Sequence, residues 1–380
     1  MNAWRMDMKI NFLVGSLILR EKKTGVHLYY DNIIQKYITD SQCSDELNLS
    51  VYESYSSLRE RYPDEIPYER YLNTSFRLAR FFTYFLPIEL FFGRSDIYIC
   101  DGLSPKTLFK SKRVFVIHDL MVYLYPQNYT FLMKTYLKSF FERAAREADH
   151  VIAVSKTTKR DIVQILGVPE ERVSVVYNGV ERFAGQDDIR EDISCAAEKK
   201  YLFYIGDFRD NKNVISAIQA FEKYMRRDSE LHFFLAGNPR GKNYIKIREY
   251  IKERGISSKI SFLGYVSDAE KVFLYRHAHA FVFVSLYEGF GVPIIEAMLY
   301  ETPVITSNCS SMAEIAVDGS AILVDPTNIG EIASAMEAVG DLTCRRHLVE
   351  KGKSIAARYT WDAAYHDFCN VLGRFHKAGF

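Results

Sequence analysis

Cysteine is sparse in this chain: six in 380 residues, at 43, 100, 195, 309, 344 and 369, with no close pair of the zinc or redox kind. Scattered thiols fit a reducing cytosol and exclude a disulfide scaffold. No run of about 18 apolar residues is present to span a bilayer. The apolar stretch Ile10–Leu19 is broken by Asn11 and Gly15 and follows a charged Met1–Lys9, which argues against a secretory signal. Asp-x-Asp and His-x-x-x-His are both missing, so no dedicated divalent-metal site is signalled and no cofactor is expected. Charge of one sign is missing as well. The 49 Lys and Arg against 48 Asp and Glu leave a formal net charge of +1, which gives no argument for nucleic acid as a partner.

What is present describes an ordinary globular protein, 48% hydrophobic and 26% charged. Its length exceeds what one core usually supports, so two domains are expected. The neutral whole conceals a local imbalance. From Arg70 to Arg160, Lys and Arg outnumber Asp and Glu about two to one, and Phe76 to Arg94 mixes aromatics with arginines. That mixture suits an anionic membrane surface, and equally a core helix with solvated arginines.

Along the chain, short β-branched and aromatic runs alternate with helical patterns. Lys9–Val14, Asp96–Cys100, Val114–Ile117, Val151–Val154 and Val173–Val176 read as strands of a first half. Helices are expected from Gly25 to about Ser41, over Phe131–Ala148, and over Lys156–Leu166 behind a Ser155 cap. The polar, tyrosine-rich Ser41–Tyr71 carries no clear period. Glu181–Lys200, acidic and aperiodic, reads as a linker. Tyr201–Ile205, His232–Ala236, Ile260–Phe262, Phe281–Val284, Val304–Thr306 and Ala321–Leu323 restart the pattern, with capping boxes expected at Ser311–Glu314 and Asn328–Glu331. Alternation of this kind predicts α/β domains with doubly wound parallel sheets.

The organising stretch is Tyr287-Glu288-Gly289-Phe290-Gly291-Val292-Pro293-Ile294-Ile295-Glu296. Behind the strand Phe281–Val284 it reads as a glycine loop and a helix whose first position suits Pro293. Unpaired N–H groups at such a helix start attract oxyanions and hydroxyls, and glycines let a ligand approach the backbone. Glu288 in the loop and Glu296 in the first helical turn offer carboxylate acceptors for sugar and ribose hydroxyls. Either one alone reads as well as a solvated loop acid or a dipole-complementing residue. The turn Gly206-Asp207-Phe208-Arg209-Asp210-Asn211-Lys212-Asn213 has the composition to hold a diphosphate, Lys as a point charge and Arg as a planar fork.

The run Glu-Gly-Phe-Gly-x-Pro-x-x-Glu-Ala from Glu288, continued by Thr302–Ser307, Glu314 and Leu323–Pro326, resembles the retaining glycosyltransferases of the group 1 type, family 4 of the nucleotide-sugar transferases. The resemblance implies a GT-B architecture: two doubly wound, Rossmann-like domains facing a cleft. An acceptor-side domain would span 1–180 and a nucleotide-sugar domain 200–361, with a terminal helix at about 362–380 crossing back onto the first. It implies donor contacts from Gly25, Gly206, Lys212, Tyr265, Glu288, Gly289, Phe290, Gly291, Val292 and Glu296. Glu296 would hold the ribose, Glu288 the sugar and Lys212 the diphosphate. Val116-Ile-His-Asp-Leu120 resembles the family segment whose histidine faces the donor sugar, which places His118 there. The family's usual arginine after the glycine falls on Asp207, so Arg209 is the stand-in.

The implied reaction moves a hexose, from a GDP-mannose-like donor or a UDP-sugar, to a hydroxyl of a glycan or lipid-linked acceptor. The wording leans toward mannosyltransferases of surface-polysaccharide assembly, cytoplasmic and at the inner face of the membrane. A nucleotide-sugar epimerase of the same fold and a non-catalytic glycan-binding subunit stay open as alternatives.

Overall fold

The computed structural model describes residues 8–14, 25–40, 46–51, 86–100, 106–183, 189–194 and 198–377. They fall into two compact units, one formed by Met1–Gly179 with Trp361–Phe380 and the other by Val180–Thr360.

The first unit is built on a six-stranded parallel sheet of β1 (Lys9–Val14), β2 (Glu46–Val51), β3 (Ile97–Cys100), β4 (Lys112–Ile117), β5 (His150–Ala153) and β6 (Val173–Val175), in the order β2-β1-β3-β4-β5-β6. Every residue of β3 and β5 is buried, as expected where helices cover both faces of a parallel sheet. On one face Leu13, Phe115 and Ile117 pack with Phe140, Ala144 and Ile162. On the other, Phe12 lies 5.8 Å from the Phe368 ring and 6.3 Å from Tyr37. The terminal helix Trp361–Lys377 is thus part of this unit's core. It is fixed further to the helix Gly25–Thr39 by Lys36–Asp362 at 2.6 Å and by the Tyr365 hydroxyl donating to Asp40 at 2.9 Å.

The second unit repeats the plan with β7 (Tyr201–Ile205), β8 (His232–Ala236), β9 (Ile260–Gly264), β10 (Ala280–Phe283), β11 (Val304–Ser307) and β12 (Ile322–Val324), all parallel, in the order β12-β11-β10-β7-β8-β9. This sheet therefore starts in its middle, at β7, winds outward to β9, and returns to the other side at β10. The crevice between the carboxyl ends of β7 and β10, where the winding reverses, is the standard ligand position of such sheets.

Two expectations change here. The described parts of Glu181–Lys200 do not run free: the Phe183 N–H donates to the Tyr300 hydroxyl at 2.9 Å and the Arg190 guanidinium to Glu270 at 2.7 Å, which fastens them to the second unit. The aperiodic Ser41–Tyr71 contains β2, an edge strand whose Leu47, Leu49 and Val51 alternate with polar residues.

Candidate functional site

At the carboxyl ends of β7, β8 and β9 three glycines lie side by side. The Gly206 N–H reaches the Ala236 carbonyl at 3.1 Å and the Gly237 N–H the Gly264 carbonyl at 2.7 Å. The strands come so close that a Cβ on Gly237 would sit 1.8 Å from the Gly206 oxygen, and one on Gly206 would sit 2.6 Å from the Tyr204 hydroxyl. The turn is consequently rigid, and it launches the short 3-10 segment Asp210–Lys212 across the sheet's switch point.

Two asparagines fasten that segment to the loop after β10. The Asn211 carbonyl accepts the Leu286 N–H at 2.7 Å, and its side-chain amide donates to the Tyr287 carbonyl at 3.1 Å. Asn213, held in the left-handed region at φ 53°, donates to the Val284 and Pro326 carbonyls at 3.1 and 2.7 Å. Between them Lys212 extends over the Phe283 ring, 5.4 Å from its centroid, and donates to both oxygens of Glu288, at 2.7 and 2.8 Å. The two side chains are only 14% and 11% exposed. The backbone of Glu288 is pinned from β11's side: its N–H donates to the Ser310 hydroxyl at 3.1 Å, and the Ser310 and Ser311 hydroxyls donate to its carbonyl at 2.8 and 3.0 Å. Ser311 is therefore a loop anchor and not a helix cap; the helix Ser310–Ile315 starts behind Cys309. At Asn328 half of the expected box forms: its side chain accepts the Glu331 N–H at 3.1 Å, while the Glu331 carboxylate accepts the Asp325 N–H at 3.2 Å.

The helix beyond the glycine loop spans Val292–Leu299, capped by Gly291 at φ +116°, a conformation that suits glycine. It starts one residue before the expected Pro293, so Glu296 lies in its second turn and not its first. There Lys271 donates to one Glu296 oxygen at 2.7 Å and the Tyr275 hydroxyl to the other at 3.1 Å. Burial alone would lower the Lys271 pKa, but the Glu296 and Asp268 carboxylates more than reverse it and hold the ammonium above its ordinary range. Neither Lys271 nor Tyr275 stood out in the sequence. Their four-residue spacing on the capped helix Asp268–His277 is the signal that both point to one side.

Asp207, where the family's arginine is expected, forms its own pair. The Arg209 guanidinium closes on it, Nε at 2.7 Å and Nη2 at 2.6 Å. Burial would raise the Asp207 carboxyl, yet Arg209 and the nearby Lys212 charge pull it below its ordinary value. Around the site Phe290 is buried, its ring 5.7 Å from Tyr359, while Tyr265 at the end of β9 is 59% exposed and accepts Arg190 on its carbonyl at 3.3 Å.

In the first unit, His118 stands at the carboxyl end of β4, its ring 5.3 Å from Tyr29 and 5.9 Å from Tyr30. Burial, aided by His27, lowers its pKa to about 4, so the imidazole is neutral at pH 7. Its buried Nε2 has no hydrogen-bond partner among the described residues. Gly25 opens the helix Gly25–Thr39, with nothing within 4 Å of where its Cβ would be. Phe76 to Phe85 of the basic aromatic stretch lie outside the described residues. Among those described, no three His, Cys, Asp or Glu side chains cluster as a metal would require.

Two adjacent family models match the chain: Glycosyltransferase Family 4 over 49–182, and Glycosyl transferases group 1 over 185–354, which contains every second-unit residue named in the site except Tyr359. The chain belongs to the group 1 glycosyltransferases. This glycosyltransferase is 27% identical over 283 residues to the O-antigen chain mannosyltransferase RfbU of Salmonella typhimurium, covering 74% of this chain and 75% of the relative. To the O-antigen chain mannosyltransferase B of Escherichia coli it is 24% identical over 262 residues, 66% and 67% of the two chains. Among solved structures, Anabaena Alr3699/HepE, determined in complex with UDP and glucose, superposes with a TM-score of 0.70 at 19% identity, covering 97% of this chain and 100% of that one. That likeness identifies the two-domain fold as GT-B.

Proposed function

We propose that this glycosyltransferase moves a hexose, with retained anomeric configuration, from a nucleoside-diphosphate sugar to a hydroxyl of a glycan or lipid-linked acceptor in polysaccharide synthesis. The observation that carries the reading is the Lys212–Glu288 pair at the β7/β10 switch point, with Glu296 in the helix beyond the glycine loop. An ammonium has three N–H donors, and two go to Glu288, so one is left for a phosphate oxygen. The Glu288 oxygens keep lone pairs for sugar hydroxyls. Lys212 would therefore stand where the leaving diphosphate gains charge, and Glu288 beside the transferred sugar. Stabilising that departing charge is the dominant contribution, and the leaving phosphate itself takes the acceptor's proton. Glu296, oriented by Lys271 and Tyr275, would receive the ribose hydroxyls. Neutral His118 would offer its unmatched Nε2 to the donor sugar.

The O-antigen relatives support mannose as the transferred sugar, whereas the UDP complex of the Anabaena protein supports a UDP-sugar as the donor. A thermal-shift panel of GDP, UDP, ADP and their sugars ranks them, because a ligand at 100 times its Kd stabilises by about 2.7 kcal/mol. The reading requires a shift with at least one diphosphate that Glu296→Ala abolishes. A flat panel contradicts it.

A further inference from the structure

The described helices include none long and apolar enough to cross a membrane, yet one surface of the first unit exposes a run of large apolar side chains. The helix Phe131–Glu147 opens with three consecutive apolar residues that are open to solvent: Phe131 is 75%, Leu132 81% and Met133 46% exposed. Leu124, 41% exposed, belongs to the short helix just before it. The Thr130 hydroxyl caps the start of this helix by accepting the Met133 N–H at 3.4 Å.

Three features select the partner. Successive helical residues point about 100° apart, so the three side chains cover roughly 200° of the helix circumference. The apolar stripe by which a helix packs on one protein face is commonly about 100° wide or somewhat more, whereas a medium that surrounds the tip buries all three side chains. Second, no Asp or Glu occurs between Leu120 and Phe141, whereas Lys134 and Lys138 do. Lys138 lies about 10 Å down the helix from Phe131 at 1.5 Å per residue, the depth that separates an inserted apolar face from the headgroups. Third, Tyr123, Tyr125, Tyr129 and Tyr136 are all half-buried around this tip, and tyrosine is the residue type that favours the membrane–water boundary.

We propose that the apolar tip Leu124, Phe131, Leu132 and Met133 inserts into an anionic bilayer, with Lys134 and Lys138 at the level of the lipid phosphates. The tip follows the carboxyl end of β4, so insertion holds the His118 end of this sheet at the lipid surface. The four residues lie outside the sequence stretch Phe76–Arg94, and insertion does not depend on which donor or acceptor is used.

Flotation of the full chain with vesicles of phosphatidylcholine and phosphatidylglycerol tests it, against vesicles of phosphatidylcholine alone. The wild type should float with the anionic vesicles and be partly released by salt. Replacing Phe131, Leu132 and Met133 together by Ser should lower the partition coefficient by about tenfold or more. Lys134→Glu with Lys138→Glu should remove the preference for anionic lipid while leaving the melting temperature unchanged. A Phe131→Trp variant reads insertion directly, as a blue shift of the introduced indole's emission and its quenching by brominated acyl chains. Equal partitioning of the triple variant and wild type overturns the proposal, as does emission of the Phe131→Trp variant that vesicles leave unchanged. Light scattering that shows a wild-type dimer lost in the triple variant, without vesicle binding, would overturn it in favour of a second copy as the tip's partner.

Discussion

Lys271 is where the structure adds most to the motif, and its removal has a calculable consequence. In Lys271→Met the Glu296 carboxylate, 13% exposed, loses its cation and keeps only the Tyr275 hydroxyl. Two unit charges about 3 Å apart attract by roughly 5 kcal/mol at an effective dielectric constant of 20, and desolvation offsets most of that. The net cost lies between a surface pair and a fully buried one, about 1–3 kcal/mol of stability. The kinetic consequence is more specific. A hydrogen bond from a hydroxyl to a charged acceptor is worth about 1.5–3 kcal/mol. Swinging Glu296 out of reach of one ribose hydroxyl should therefore raise the donor KM about 10- to 100-fold, since each 1.4 kcal/mol is tenfold. The ribose does not react, so kcat should stay within about threefold of wild type. Initial rates with varied donor, on protein shown to be folded at the assay temperature, measure both. Lys271→Arg keeps the charge and should recover most of the loss. An unchanged KM in Lys271→Met, or a fallen kcat at constant KM, would refute the positioning role.

Gly237→Ala should be severely destabilising, by about 3 kcal/mol or more, because its Cβ would meet the Gly206 carbonyl oxygen of the next strand and neither backbone can retreat; a urea titration checks it. His118, whose pKa is lowered to about 4, stays neutral in the fold while the unfolded chain protonates near pH 6.5. Stability attributable to it is therefore complete above about pH 6.5 and is lost as pH falls toward 4, by up to about 1.4 kcal/mol per pH unit. His150 and His279, also lowered to about 4 chiefly by burial, add to the same slope. His118→Asn should reduce it in chemical denaturation at stepped pH, and an unchanged slope would remove His118 as a source.

The strands are readable because parallel strands buried on both faces must be near-continuous apolar runs, as in Ile97–Cys100 and Ala280–Phe283. The edge strand Glu46–Val51 is hidden for the complementary reason: half of its residues are polar. The loop carrying Glu288 is equally legible, since glycine and proline punctuate it. The partners of its glutamates are not. Lys212 and Glu288 are 76 residues apart, and only the winding of the sheet, with β7 beside β10, makes them neighbours. Lys271 and Glu296 meet because two helices flank that same strand. Asp207 illustrates a third case. Its departure from the family pattern is visible in the sequence, but its consequence, a fork closed on Arg209, depends on side-chain geometry within one turn.

The central claim is that Lys212 opposes the charge of the leaving diphosphate, and steady-state kinetics of Lys212→Ala beside Arg209→Ala test it most directly. If Lys212 acts like a donor to a developing oxyanion, Lys212→Ala should lower kcat by about 10²- to 10³-fold. Arg209→Ala, whose guanidinium is occupied by Asp207, should have the smaller effect. Wild-type kcat in folded Lys212→Ala, with kcat lost in Arg209→Ala, would transfer the phosphate role to Arg209 and contradict the account.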